Sequence, residues 1–355
     1  MNDRHGGEIL FERRGAAGIV TLNRPKALNA LTHAMAVALR KQLDFWAHDD
    51  AVTRVVVTAA GDRAFSAGGD IRALYDLGKA ERYDEALQFW RDEYPLNVVI
   101  KNYRKPYVAL IDGIAMGGGV GVSIHGSHRI AGDRYSFAMP EVGIGFFPDV
   151  GATWFLPRMP GELGTYCALT GERFGIADAL AGGIATHRVP TARFEALLEG
   201  LAGTVSVDAV VAAFSEPAGD GPIAQRKQTI DRLFAGDSVE RILAAVDREA
   251  TLGSADAEWA QKTAATIRTK SPLSLKLALA QVRRGKGWDF ETCMRAEFRI
   301  VSRIIHGHDF YEGVRAVIVD KDNSPRWEPP ALEKVSDDDV ERHFAPLGID
   351  ELVLS

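Results

Sequence analysis

Lys105-Pro-Tyr-Val-Ala-Leu-Ile-Asp-Gly113, followed by Met116-Gly-Gly-Gly-Val-Gly121, sets an apolar strand directly before a glycine run. Pro106 precedes the strand, and the glycine run opens a helix that the pattern continues to about His128. Upstream, Gly18-Ile-Val-Thr-Leu22 and Arg54-Val-Val-Val-Thr58 read as two more strands. Between them lies an amphipathic helix over 32–49, with Thr32 as N-cap and Met35, Leu39, Leu43 and Trp46 as its apolar stripe. The loop Gly61-Asp-Arg-Ala-Phe-Ser-Ala-Gly-Gly-Asp70 leads into a charged, largely helical region over 71–104. Such alternation of strand and helix predicts an α/β core.

Downstream the pattern turns helical: 161–184, then 191–255 with a turn-rich break at Glu216-Pro-Ala-Gly-Asp-Gly-Pro222, then 255–319 with Ser271-Pro272 as a start signal. From Pro325 to about Asp339 the chain is rich in proline and acidic residues and reads as a surface-running tail, with Trp327 as its one candidate anchor. The expected organisation is a core over 1–200, a mainly helical region over 201–330 and a polar tail over 331–355.

A net charge of −6 argues against a broad nucleic-acid footprint, which needs clustered Lys and Arg. No stretch reaches the roughly 18 apolar residues of a membrane span. The two cysteines, Cys167 and Cys293, fall in apolar helical segments and read as buried free thiols in a reducing compartment. Met1-Asn-Asp-Arg-His-Gly-Gly7 resembles neither a signal peptide nor a transit segment, so the expected location is the cytoplasm.

Chemistry concentrates around the glycines. Gly117-Gly-Gly119 lets a ligand approach the backbone where N–H groups could meet a developing oxyanion. A dinucleotide fingerprint fails on spacing, because Val122 stands where the third glycine belongs, and no phosphate loop is present. Ala67-Gly-Gly-Asp70 is a second loop of the same kind; two N–H groups from separate loops grip a carbonyl oxygen better than one. Glu141 and Asp149 lie eight residues apart in Met139-Pro-Glu-Val-Gly-Ile-Gly-Phe-Phe-Pro-Asp149, embedded in apolar, restricted sequence. Burial and mutual repulsion should raise at least one pKa. His125 and His128 read as a helix-face pair without a third metal ligand, and Asp337-Asp-Asp339 as a solvated face.

Together with Leu22-Asn-Arg-Pro-Lys-Ala-Leu-Asn-Ala-Leu31 and Phe65-Ser-Ala-Gly-Gly-Asp70, these segments resemble the enoyl-CoA hydratase/isomerase (crotonase) superfamily. The resemblance implies a crotonase-like spiral of ββα units followed by a C-terminal helical region, acyl-CoA as substrate, and an oxyanion hole from the N–H groups of Gly69 and Gly118. The first catalytic glutamate of the hydratases corresponds to Gly121 here, only the second is kept, as Glu141, and Asp149 stands where hydratases carry glycine. That exchange disfavours addition of water to a double bond.

Within the superfamily the pattern is most similar to the 3-hydroxyisobutyryl-CoA hydrolase branch, through Glu93-Tyr94, Ala138-Met-Pro-Glu141, Phe147-Pro-Asp149 and the segment from Gly307 to Trp327. The resemblance implies thioester hydrolysis in valine breakdown, with Glu141 as nucleophile or general base, Asp149 orienting water or the acyl hydroxyl, and Glu93 contacting the acyl group. By analogy Arg24, Lys26 and Lys321 are candidates for the CoA phosphates, and a solvated-face role fits each as well. No metal, nicotinamide or flavin is implied; coenzyme A enters only as part of the substrate, and homo-oligomer formation is left open. An enoyl-CoA hydratase or isomerase and a non-catalytic acyl-CoA-binding subunit stand as the competing readings.

Overall fold

The computed structural model describes residues 7–354; the N-terminal leader reading lies almost wholly outside them. Within the described residues the chain forms two compact units, the first from residues 7–70, 92–137 and 174–224, the second from residues 71–91, 138–173 and 225–354.

The first unit is built on a six-stranded sheet: β1 (Ile9–Arg14), β2 (Ala17–Leu22), β3 (Arg54–Ala59), β5 (Tyr107–Ile111), β7 (His128–Ala131) and β9 (His187–Arg188), in that order. β1 and β2 form an antiparallel hairpin, and every later pairing is parallel. A second, three-stranded sheet runs β4 (Ala64–Ser66), β6 (Ile114–Met116), β8 (Ser136–Ala138). Successive pairs β3/β4, β5/β6 and β7/β8 thus divide one strand to each sheet, which is the ββα spiral of the crotonase fold.

Parallel strands are covered on both faces, so they read as unbroken apolar runs. Val55, Val56 and Val57 are all fully buried. Ile19, Val56, Val108 and Ile130 pack in one cluster with Leu197, Leu201 and Val211 from the helices Phe194–Ala202 and Val207–Phe214. On the helix His33–Ala47, Thr32 accepts a hydrogen bond from the Met35 N–H at 3.3 Å as the expected N-cap. Trp46 from its last turn lies so close to Gly18 that a β-carbon there would sit 2.7 Å from the indole.

The helix after the glycine run is far shorter than its pattern suggests: it spans Gly118–Gly121, and His128 opens β7. Glycine and β-branched residues are weak helix formers, and Ser123 caps the turn by donating from its hydroxyl to the Gly119 carbonyl at 2.8 Å. In the second unit, residues 331–355 contain the helix Asp337–Phe344 rather than tail alone. Ser336 and Asp339 make a reciprocal capping box, and Val340 and Phe344, one turn apart, are buried. The acidic run is therefore the helix's first turn, where negative charge is favoured. Trp327 does anchor its segment, donating from Nε1 to the Thr269 carbonyl at 3.0 Å.

Candidate active site

β4 and β6 are parallel neighbours, so their C-terminal ends point the same way and release the two glycine loops side by side. Gly68, at φ 120°, and Gly117, at φ 45°, make the turns that a side chain would strain. Gly69 bridges Leu31, but the bonds of that bridge run from Leu31 N–H to the Gly68 carbonyl (2.8 Å) and from Asp70 N–H to the Leu31 carbonyl (2.9 Å). In a parallel bridge this turns the Gly69 N–H to the opposite side. Gly118 lies close by: a β-carbon on it would lie 3.3 Å from the Gly69 nitrogen, 3.1 Å from Leu31 Cδ1 and 2.7 Å from Glu93 Oε1.

The first unit thus brings Gly69, Gly118 and Glu93 together. Gly118 is the first residue of its helix, where backbone N–H groups have no intrahelical acceptor. Gly119 does different work, since a β-carbon there would lie 2.5 Å from the Ser66 carbonyl oxygen. Its hydrogen lets the short helix press against β4.

The second unit holds the carboxylates. Glu141, 6% exposed, begins a 3₁₀ turn at Glu141–Ile144, and Asp149, 5% exposed, lies just beyond it. Burial pushes the Glu141 carboxyl well above its ordinary range, and the charge of Asp149 pushes it further. Glu141 Oε2 is buried with no hydrogen-bond partner among the described residues. A buried carboxyl with a raised pKa and one oxygen left without a partner among the described residues is suited to exchanging protons.

Asp149 is aimed by a strained turn. Val150, a β-branched residue, sits at φ 52°, and Gly151 at φ 91°; a non-glycine residue in that region costs about 1–3 kcal/mol and needs outside support. The support is visible. Gln281 Nε2 donates to the Pro148 carbonyl at 2.5 Å, while Glu297 accepts from the Gly151 N–H at 2.8 Å and the Thr153 N–H at 2.9 Å.

Glu297 is a carboxylate that sequence reasoning missed. It is 0% exposed, and burial, reinforced by Asp149, pushes it up to about 8 against the pull of the Gly151 N–H. The signal was present: on the helix Phe290–Ile304 it occupies the apolar stripe of Phe290, Cys293, Met294, Val301 and Ile304. A glutamate in such a stripe is rarely solvated.

The proposed cations fare unevenly. Arg24 is already committed: Nη2 to Asp70 at 3.0 Å, Nη1 to the Ala30 carbonyl at 2.7 Å, and Nε to Glu8 at 3.1 Å. Lys26 and Lys321 are exposed. His128, a strand residue, meets Asp208 through Nε2 at 2.9 Å, so the helix-face pair with His125 does not form. No group of three or more metal-ligating side chains occurs among the described residues, and none of their helices is long and apolar enough to cross a membrane.

The family model for enoyl-CoA hydratase/isomerase matches residues 17–344. The chain belongs to this family. Among curated members of the enoyl-CoA hydratase/isomerase family, it is 44% identical to the mitochondrial 3-hydroxyisobutyryl-CoA hydrolase of Danio rerio, over 100% of this chain and 94% of that one. It is 43% identical to the enzyme of the same name from Xenopus tropicalis, over 98% and 91%. Among solved structures, a carnitinyl-CoA dehydratase from Mycobacterium thermoresistibile superimposes with a TM-score of 0.92 at 42% identity, covering 98% of each chain.

These relatives correct the expected location. Both hydrolases are named as mitochondrial, so the cytoplasmic placement read from residues 1–7 does not stand. Targeting is read from cleavable leaders rather than from the folded chain, which is why composition could not supply it.

Proposed function

We propose that this enzyme hydrolyses the thioester of a short 3-hydroxyacyl-CoA, 3-hydroxyisobutyryl-CoA foremost, releasing 3-hydroxyisobutyrate and coenzyme A as a step of valine breakdown. The observation that carries the reading is Glu141: a buried carboxyl with a raised pKa, beside a second buried acid, with one oxygen unpartnered among the described residues. Family hydratases need a second glutamate, and its position is occupied by Gly121.

In this reading the N–H groups of Gly69 and Gly118 take the carbonyl oxygen as it gains negative charge. Glu141, once ionised, supplies the nucleophile, attacking the carbonyl carbon itself or taking a proton from a water that attacks. The new C–O bond forms, the C–S bond breaks and the CoA thiolate leaves; in the water route the proton that Glu141 took goes to the thiolate, and in the direct route a water then cleaves the Glu141 anhydride, releasing the acid, restoring Glu141 and supplying the proton. Asp149 keeps Glu141 basic and orients the water. Lys26 and Lys321 are the candidates for the CoA phosphates, whereas Arg24 serves the Asp70 loop. No metal or organic cofactor enters the reaction.

The test is release of free thiol from 3-hydroxyisobutyryl-CoA by the wild type and by Glu141→Gln. Loss of the base should slow release by about 10²–10⁴-fold, and near-wild-type release by the variant would sink the assignment. The dehydratase name of the structural relative supports a different outcome. Loss of enoyl absorbance from crotonyl-CoA without thiol release would favour hydration instead.

A further inference from the structure

Glu93 and Asn97 lie one turn apart on the helix Tyr83–Lys101, and so share a face. Asn97 is 0% exposed, and neither its Nδ2 nor its Oδ1 has a hydrogen-bond partner among the described residues. An amide carries two donors and an acceptor. Burying all of them dry is costly, and an apolar side chain of the same volume avoids the cost entirely. On the same helix Leu96 and Ile100 are buried in just that way.

The chain knows how to satisfy a buried asparagine when its role is structural. Asn29, 1% exposed, donates through Nδ2 to the carbonyls of Ala60 and Ala64, both at 2.9 Å, and accepts from the Arg24 N–H at 2.8 Å. Asn97 makes no such set. Orphaned polar groups in a well-packed interior point to a ligand that completes them.

The direction of the side chain says which ligand. Helical side chains tilt toward the N-terminus, so the Asn97 amide leans over the turn that carries Glu93. Glu93 Oε1 in turn lies 2.7 Å from the β-carbon position of Gly118, which is itself 3.3 Å from the Gly69 nitrogen. The two polar residues therefore follow one another away from the paired N–H groups proposed to hold the thioester oxygen.

We propose that Asn97 is a specificity-determining residue that receives the hydroxyl group of the acyl chain together with Glu93. A hydroxyl offers one hydrogen and two lone pairs. Asn97 Nδ2 donates to its oxygen while the hydroxyl hydrogen goes to the Glu93 carboxylate. Asn97 Nδ2 then finds its acceptor only in a hydroxylated acyl chain, and an acyl chain lacking the hydroxyl leaves that donor without one. The inference rests on the hydrolase reading given above.

The experiment compares kcat/KM for 3-hydroxyisobutyryl-CoA and isobutyryl-CoA in the wild type and in Asn97→Leu, which keeps the volume and removes both polar atoms. The preference for the hydroxylated substrate should fall at least about ten-fold, through the hydroxylated substrate alone, with the thermal midpoint unchanged or raised. A preference unchanged within about three-fold overturns the proposal. Absence of thiol release from either substrate by the wild type sinks the hydrolase reading instead.

A second measurement needs no variant. In wild-type protein labelled with ¹⁵N-asparagine, the Asn97 side-chain amide signals should shift on saturation with a non-hydrolysable thioether analogue of 3-hydroxyisobutyryl-CoA, and less with its deoxy counterpart. Equal shifts with the two analogues overturn the proposal.

Discussion

Replacing Glu297 with glutamine should flatten a fall in stability that the wild type shows between pH 5 and pH 8. Burial, with Asp149 adding to it, pushes the folded-state carboxyl up to about 8 from an ordinary 4.5. The native state therefore holds its proton more tightly than the unfolded chain does. The stability this confers is fully present below pH 4.5 and is lost as pH rises through the folded value. Between those limits the slope approaches about 1.4 kcal/mol per pH unit. Integrated from pH 5 to pH 8 the loss is about 3–4 kcal/mol.

Glutamine does not titrate, so this share of the slope should vanish. The substitution has a constant cost as well, because a single amide oxygen cannot serve both the Gly151 and Thr153 N–H groups; that offset is about 1–3 kcal/mol at every pH. Glu141, also raised, contributes its slope to both proteins, so the difference between them isolates Glu297. Urea unfolding followed by tryptophan fluorescence at pH 5, 6, 7 and 8 reads the two curves. Parallel curves, differing by a constant alone, would refute the argument that this carboxyl is neutral in the native turn.

Two further outcomes follow from the same geometry. In Asp149→Asn the charge that helps raise Glu141 is gone, so its pKa should fall; because the proposed reaction needs Glu141 ionised, the acid limb of the kcat–pH profile should move to lower pH, and a limb that stays put contradicts the coupling. The neighbouring glycines should part company. Gly118→Ala puts a methyl 2.7 Å from Glu93 Oε1 and should cut kcat about 10²–10³-fold in a stable protein. Gly119→Ala instead meets the Ser66 carbonyl at 2.5 Å and should cost about 1–3 kcal/mol of stability. Similar thermal midpoints for the two variants would refute the division of labour.

Much of this was readable in order along the chain. The apolar strand Tyr107–Ile111 followed by glycines, the second glycine loop after Ser66, and two acids in apolar sequence are local statements about torsion, face and solvation. Local statements survive folding. The helix after the glycines was misjudged because hydrophobic spacing cannot reveal that glycine and valine will end it at Gly121, and the helix at Asp337–Phe344 was hidden by an acidic first turn that itself stabilises the helix.

The sequence by itself determined that two glycine loops of free backbone and a pair of buried carboxylates belong to this protein, because backbone freedom and apolar context are properties of neighbours in the chain. Only the tertiary structure decided that Arg24 is spent on Asp70 and Glu8, that Glu297 braces the Asp149 turn across 146 residues, and that Asn97 is left without partners among the described residues. Those are questions of who meets whom. A hydrogen bond depends on angstroms in space, and the one-dimensional pattern of polar and apolar residues does not carry them.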